Sequence, residues 1–464
     1  MIESAPLLLG SDGYNLNRSV RLRSSATAYF QRTPAGAGSL TAWTWSGWVK
    51  RGALGVESML FSAGTGTSNP RSLLSFNATT NTLDFGDNPT GALWSEIITT
   101  AVFRDPAAWY HIVAVYDSAN ATSTDRLRLY VNGTRITAFN SATYPIINTS
   151  SVTNTAIVHR IGRYAGGAET AYFDGCMTEV NFIGGQALTP TSFGEYNLYG
   201  QWVPKKYAGT YGTNGFYLNF NDNSAATATT IGKDSSGLGN NWTPNNISVT
   251  AGSTYDSMTD VPTLTSATAA NFAVLNPLDK GTTITVQSGN LEASISTTHN
   301  GVRNTFQIPT TGKWYWEITN GSTTGSNVIL SFGLATSVAS MNTYDYNTTG
   351  TYSLYASTDL QIISNGSGGI TFGSAISSGT VCGVAYDATN GQLYLAVANT
   401  YYSSAGSGTG NPAGGTNATM AVASSLGLFP YEHIYADTFN ANFGQRPFTY
   451  TPPTGYLALN TFNL

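Results

Sequence analysis

Short runs of alternating apolar and polar residues recur along this chain, and no helical pattern of convincing length interrupts them. In Lys313-Trp314-Tyr315-Trp316-Glu317-Ile318, the residues Trp314, Trp316 and Ile318 fall on one face at a period of two, with Lys313, Tyr315 and Glu317 on the other. This spacing predicts a half-buried strand. A second aromatic run, Trp43-Thr44-Trp45-Ser46-Gly47-Trp48-Val49-Lys50, lies far upstream. An aromatic strand needs a second sheet to cover it, so two such strands predict two β-sandwich cores.

Other stretches fit the same plan. Arg126 to Val131 alternates, with Leu127, Leu129 and Val131 on the inner face. It runs into Asn132-Gly133, a hairpin signal, because both central residues of a type I′ turn need positive φ. Trp109 to Tyr116 is almost continuously apolar, as expected of a strand between two layers, and Ala171 to Phe182 adds another strand pair. Between 201 and 270 the chain is turn-rich and polar, with a short strand expected around Phe216. From Asn271 strands resume, including a hairpin from Gly383 to Val397 through Asn390-Gly391. Residues 403–419 read as a long structureless loop of the functional or mobile kind.

The expected organisation is therefore all-β: an attachment or leader segment over 1–18, a β-sandwich over 19–200, a loop-rich connector with short strands over 201–270, and a second β-sandwich over 271–464.

Composition narrows the setting. Of 464 residues only 10% are charged, against roughly 25% in an ordinary globular protein. Hydrophobic residues reach 41%, so the chain can build cores, and its surface must be polar through hydroxyls and amides. With a net charge of −5 and no extended run of Lys or Arg, the electrostatic footprint of a nucleic-acid binder is missing. The two cysteines, Cys176 and Cys382, fall in different expected domains and suggest neither a disulfide nor a zinc site. No segment approaches the roughly 18–20 apolar residues of a membrane span, and Met1 to Gly10 lacks the basic start of a signal peptide. The expected origin is a reducing cytosol, with release by a route such as lysis.

At these residues the chain resembles known modules. Trp43–Lys50, Trp109–Tyr116 with Leu127–Gly133, and Phe173-Asp174-Gly175 through Val180 resemble a concanavalin A-like jelly roll of the laminin G type; Gly47 stands where such modules often carry an aromatic. Gly312 to Glu317 and Gly383 to Leu395 resemble a SPRY-type sandwich, with Asn399-Thr400 in place of the usual second Asn-Gly. The two in this order, with Asn276-Pro277-Leu278-Asp279 between them and Phe443 to Phe448 at the end, are similar to bacteriophage tail-fibre or appendage proteins. That resemblance implies a virion location, other virion proteins as partners, a homo-oligomer with a trimer as the guess, and a host-surface glycan or protein as the target.

Catalytic patterns are weak. A jelly-roll glucanase sets its carboxylates at alternate positions on one strand, and no Glu-x-Asp-x-Glu run occurs. Glu179 and Glu317 read as solvated strand carboxylates. The histidines are His111, His159, His299 and His433, with no Gly-x-Ser-x-Gly elbow, no His-Glu-x-x-His and no phosphate loop. His111 lies in an expected core strand. Asp117 and Asp125 flank a loop where a calcium ion could sit, since laminin G-like rims can bind one. Tyr344-Asp345-Tyr346 and Tyr401-Tyr402 are the better ligand-binding candidates, because tyrosine offers contact area at low entropic cost and a hydroxyl. The expectation is thus a non-enzymatic adhesive subunit without cofactor. A capsid decoration or head-fibre protein is the alternative, and a polysaccharide depolymerase the third reading.

Overall fold

A computed structural model describes residues 14–65, 70–91, 94–166 and 171–464. The chain is all-β and forms two compact units, one ending at Thr265 and the other running from Ser266 to Leu464 with residues 251–253 added. Most of the expected 1–18 segment lies outside the described residues.

The first unit is a sandwich of two antiparallel sheets. One runs Thr134–Arg135, Leu127–Val131, Trp109–Asp117, Ala42–Arg51, Gly175–Gly184, Ser19–Leu22 and Ser257–Met258. The other runs Phe139–Thr143, Ser95–Val102, Thr82–Asn88, Arg71–Phe76, Ser58–Gly64, His159–Ile161, Tyr29–Arg32 and Thr243–Asn245. Trp43, Trp45 and Val49 point between them and meet Phe61, Phe85, Phe182 and Trp242 in one core. Gly47 shares that inward face. A Cβ there would come within 2.6 Å of the Trp45 ring, so the glycine leaves room for the indole that fills the layer. Asn132 and Gly133 have φ of 48° and 80°, and Val131 pairs with Thr134 across them, as the hairpin signal required.

Both faces of the first sheet are covered. Val113, Val115 and Ile183 point away from the main core and pack with Phe193 and Tyr207. This outer layer explains why Trp109–Asp117 is apolar on both faces.

Residues 201–250 and 254–265 are built into the first unit. Phe216–Leu218 pairs with Gly175–Gly184, Thr243–Asn245 with Tyr29–Arg32, and Ser257–Met258 with Ser19–Leu22. The last pairing is locked by buried ion pairs. Asp256 accepts from Arg21 at 3.1 Å and Arg23 at 2.8 Å, and Asp260 from Lys50 at 2.7 Å.

The second unit is also a two-sheet sandwich. One sheet runs Leu275–Lys280, Asn300–Asn304, Leu428–Tyr435, Ile329–Thr336, Thr351–Ala356, Leu360–Ser364 and Ser367–Phe372. The other runs Thr285–Gln287, Glu292–Ser294, Thr438–Asn442, Lys313–Asn320, Val381–Asp387, Gln392–Val397 and Thr400–Tyr402. Trp314, Trp316 and Ile318 are buried, in register with Tyr386, Val384 and Cys382.

The opposite face is buried too, which corrects the half-buried reading. Tyr315 packs with Ala385, Tyr394 and Tyr456. Glu317, expected in solvent, is 2% exposed and accepts the backbone N–H groups of Thr449 and Tyr450, both at 2.8 Å. It thereby anchors the segment that closes the unit. The turn after Val397 is made by Ala398 and Asn399, at φ 47° and 63°, so both residues are left-handed and the turn closes without a glycine.

Candidate functional site

A cleft of about 640 Å³ opens in the second unit, within the size range of small-ligand sites. Its aromatic wall is a stack. The imidazole of His299 lies between Tyr344, at 3.5 Å between ring centroids, and Tyr435, at 4.4 Å. His433 lies 5.4 Å from His299, on the same strand as Tyr435 and two residues before it. Burial, and repulsion between the two imidazoles, pushes His299 down to about 4; burial pushes His433 down to about 3. Both are therefore neutral at pH 7.

The rim is hydroxyl and amide. Thr283 donates to Asn300 Oδ1 at 2.7 Å, and the Thr282 N–H donates to Asn342 Oδ1 at 2.8 Å. Thr297, Thr298 and Thr343 complete the lining, which contains no Asp, Glu, Lys or Arg. Such a cleft offers ring faces and uncharged hydrogen-bonding groups, and little that can move a proton at pH 7.

Tyr344 stands at this cleft, 40% exposed. Tyr346, 37% exposed, lies 5.3 Å from it and meets Tyr355 edge-on. Asp345, named with them as a ligand contact, is not at the surface. It is fully buried, and its Oδ2 accepts from the hydroxyls of Ser331 and Ser353. Burial raises its pKa despite these bonds. Its place is behind the wall: the Asp345 carbonyl accepts from Thr351 and from the Thr348 N–H, both at 3.0 Å, fixing the turn that carries Tyr344.

Tyr401 and Tyr402 are not brought to this cleft. Tyr401 packs against the Tyr315, Tyr394 and Tyr456 cluster, and Tyr402 lies 4.9 Å from Phe372. Both are half-buried. The 403–419 loop, expected to be structureless, is tied by its own bonds. Ser403 accepts from the Gly406 N–H at 2.9 Å, Gly410 N–H donates to Tyr401 O at 3.0 Å, and Asn411 and Thr416 form a bridge.

Asp117 and Asp125 are each taken by an arginine, Arg128 and Arg135 respectively. Among the described residues no group of three His, Cys, Asp or Glu side chains gathers as a metal site.

Glu179 also departs from the solvated reading. It sits at a register shift between Thr178 and Asn181 with φ 53°, and such bulges re-aim side chains. The Tyr14 and Tyr217 hydroxyls donate to it at 2.6 and 2.5 Å, and burial raises it to about 7. Asp84, on the outer face of the second sheet, is raised to about 8 by burial and by neighbouring Glu96 and Glu57.

Sequence reasoning reached Tyr344 and missed His299, Asn342 and Tyr435. The signal was Thr297-Thr298-His299-Asn300 beside a strand start and Asn342-Thr343-Tyr344, polar clusters whose meeting depends on how Leu428–Tyr435 pairs with Asn300–Asn304.

Among solved structures, the chain is similar to a heptameric SAP-like pentraxin from Limulus polyphemus, at 15% identity over 37% of this chain and 78% of that one, with a TM-score of 0.29. It is similar to the SPRY domain of human HERC1, at 12% identity over 36% and 96%, TM-score 0.27. It is also similar to domains LG4-5 of the mouse laminin alpha1 chain, at 9% identity over 99% and 96%, TM-score 0.30. No curated protein matches the chain. A laminin G family model, described as the concanavalin A-like lectin/glucanases superfamily, matches residues 24–192, so the first unit carries a concanavalin A-like jelly roll.

Proposed function

We propose that this protein is an adhesive, non-enzymatic subunit of a bacteriophage particle, a tail-fibre or tail-appendage component that holds a host-surface glycan in the cleft of its second unit. The observation that carries the binding role is the stack of His299 between Tyr344 and Tyr435, rimmed by threonine hydroxyls and Asn342. Ring faces meet the C–H face of a sugar, and hydroxyls and amides meet its hydroxyls. The phage setting is supported by the order of modules and by the low-charge, Gly-rich composition. Repetition in a homo-oligomer would add weak contacts through effective concentration.

The test is binding of fluorescently labelled protein to candidate bacterial hosts and to immobilised glycans, with Tyr344→Ala alongside. Strain-specific binding lost in the variant is expected. A folded oligomer that binds no strain and no glycan would replace adhesion with a purely structural role, such as head decoration.

A further inference from the structure

The first unit holds a second surface that the cleft does not explain. On the outer face of its second sheet, Arg160 pairs across the ladder with Gln31 on one side and Ser62 on the other. Its Nε donates to Gln31 Oε1 at 3.2 Å and its Nη1 to Tyr164 O at 2.9 Å. The guanidinium of Arg163 stands over two neighbouring tyrosines, 5.0 Å from the Tyr29 ring centroid and 5.2 Å from that of Tyr172. Arg160 also stands over Tyr29, at 5.6 Å. A third arginine, Arg71, donates to the Tyr164 hydroxyl at 3.1 Å and borders Asp84.

In a chain with only 20 Lys and Arg, this concentration is costly. Among the described residues, no carboxylate comes within ion-pair distance of Arg71, Arg160 or Arg163, whereas Arg21, Arg23, Lys50, Arg128, Arg303 and Lys313 each have one. Arg160 and Arg163 repel one another and are held in place by neutral groups. Stacking on tyrosine orients a guanidinium fork and leaves N–H groups for a further acceptor. Thr243 and Asn245 share the same face through their pairing with Gln31 and Tyr29, adding a hydroxyl and an amide.

We propose that this face binds an acidic saccharide, with Arg160 and Arg163 receiving its anionic group and Gln31, Thr243 and Asn245 facing its hydroxyls. A sugar fits better than a nucleic acid. The cationic patch is small, the chain is net negative, and a phosphate backbone needs a longer basic track. The proposal rests on the first unit alone and stands or falls apart from the cleft.

The test is binding of the full chain, in physiological salt, to polygalacturonate, polysialic acid, dextran sulfate, neutral dextran and polyphosphate. Compared with the wild type would be Arg160→Gln/Arg163→Gln and Gln31→Glu, the last placing an internal carboxylate beside Arg160. Binding to a carboxylated or sulfated polysaccharide, weakened about tenfold or more by both variants and untouched by Tyr344→Ala, is the expected result. Preference between the carboxylated and sulfated polymers identifies the anionic group. Thermal melts confirm that the variants fold, and Gln31→Glu decides the matter if the double variant does not. The proposal is overturned if no acidic polysaccharide binds, if binding survives the substitutions, or if polyphosphate alone binds.

Discussion

Ser46 Oγ lies 2.9 Å from Nε2 of His111, the spacing of a nucleophile and its base, yet the pair is set against catalysis. The indole N–H of Trp202 lies 2.9 Å from His111 Nδ1. Indole can only donate, so Nδ1 accepts and the ring proton sits on Nε2, pointing at the serine. A base must present its lone pair there. Burial also holds His111 down to about 3, so it stays neutral.

The expected outcome is that Ser46 resists a fluorophosphonate probe in the folded protein. Trp202→Phe removes the donor and is expected to lower stability by about 1–3 kcal/mol, through an unpaired buried Nδ1. Labelling followed by peptide mapping checks the first, denaturant unfolding the second. Labelling of Ser46 in the native state would overturn the tautomer assignment.

Tyr344 and Asp345 separate binding from folding. Tyr344→Ala is expected to weaken glycan binding tenfold or more while costing only about 0.5–1.5 kcal/mol of stability, because the side chain is 40% exposed and loses mainly its stacking on His299. Asp345→Ala removes the shared acceptor of the Ser331 and Ser353 hydroxyls, leaving them only each other, and is expected to cost about 1–3 kcal/mol and to lose binding as well. Melting and binding measured on the same samples decide between these outcomes.

Asp87 gives a pH signature. Burial raises it to about 7, although the Ser151 hydroxyl donates to it at 2.8 Å. In the unfolded chain it titrates near roughly 4, so the native state holds a proton that the unfolded state has released. Its contribution is therefore fully present at low pH and declines as pH rises from about 4 to about 7. Relative to the wild type, Asp87→Asn should gain on the order of 1.4 kcal/mol per pH unit across that window and nothing further above it. Parallel denaturant unfolding of both proteins from pH 4.5 to 8.5 checks this, and a constant difference would count against it.

The domain boundary makes another prediction. A fragment of residues 1–265 is expected to fold, whereas one of 1–200 is expected to aggregate or stay unfolded. The shorter fragment loses Asp256 and Asp260 and leaves Arg21 and Lys50 buried without their carboxylates, a cost of about 3–5 kcal/mol for each broken pair. Soluble yield and chemical-shift dispersion distinguish the two.

Local signals were legible where one short segment decides the outcome. Asn132-Gly133 made its turn because both residues took positive φ, and the alternation in Trp314-Tyr315-Trp316 found the inner face. What covered the other face was not legible. Tyr315 and Glu317 look solvent-facing until Thr449 and Tyr450 come back over them from more than a hundred residues away. The turn-rich 201–265 stretch resembles a linker because its strands are only two or three residues long and borrow their order from Tyr29–Arg32, Gly175–Gly184 and Ser19–Leu22. The cleft was half visible for the same reason. Tyr344 advertised itself, while His299 and Tyr435 became neighbours only through a long-range ladder.

The buried carboxyl of Asp345 fixes the cleft wall from behind, so the positions that shape the turn and the positions that face outward are different residues. Ser331 and Ser353 answer to the Asp345 carboxyl, and Thr351 to its backbone carbonyl. Asn342, Thr343 and Tyr344 line the opening. Variation can exchange the outward set without asking the frame to move, so what the opening accepts can change by single substitutions while the turn that presents it keeps its shape.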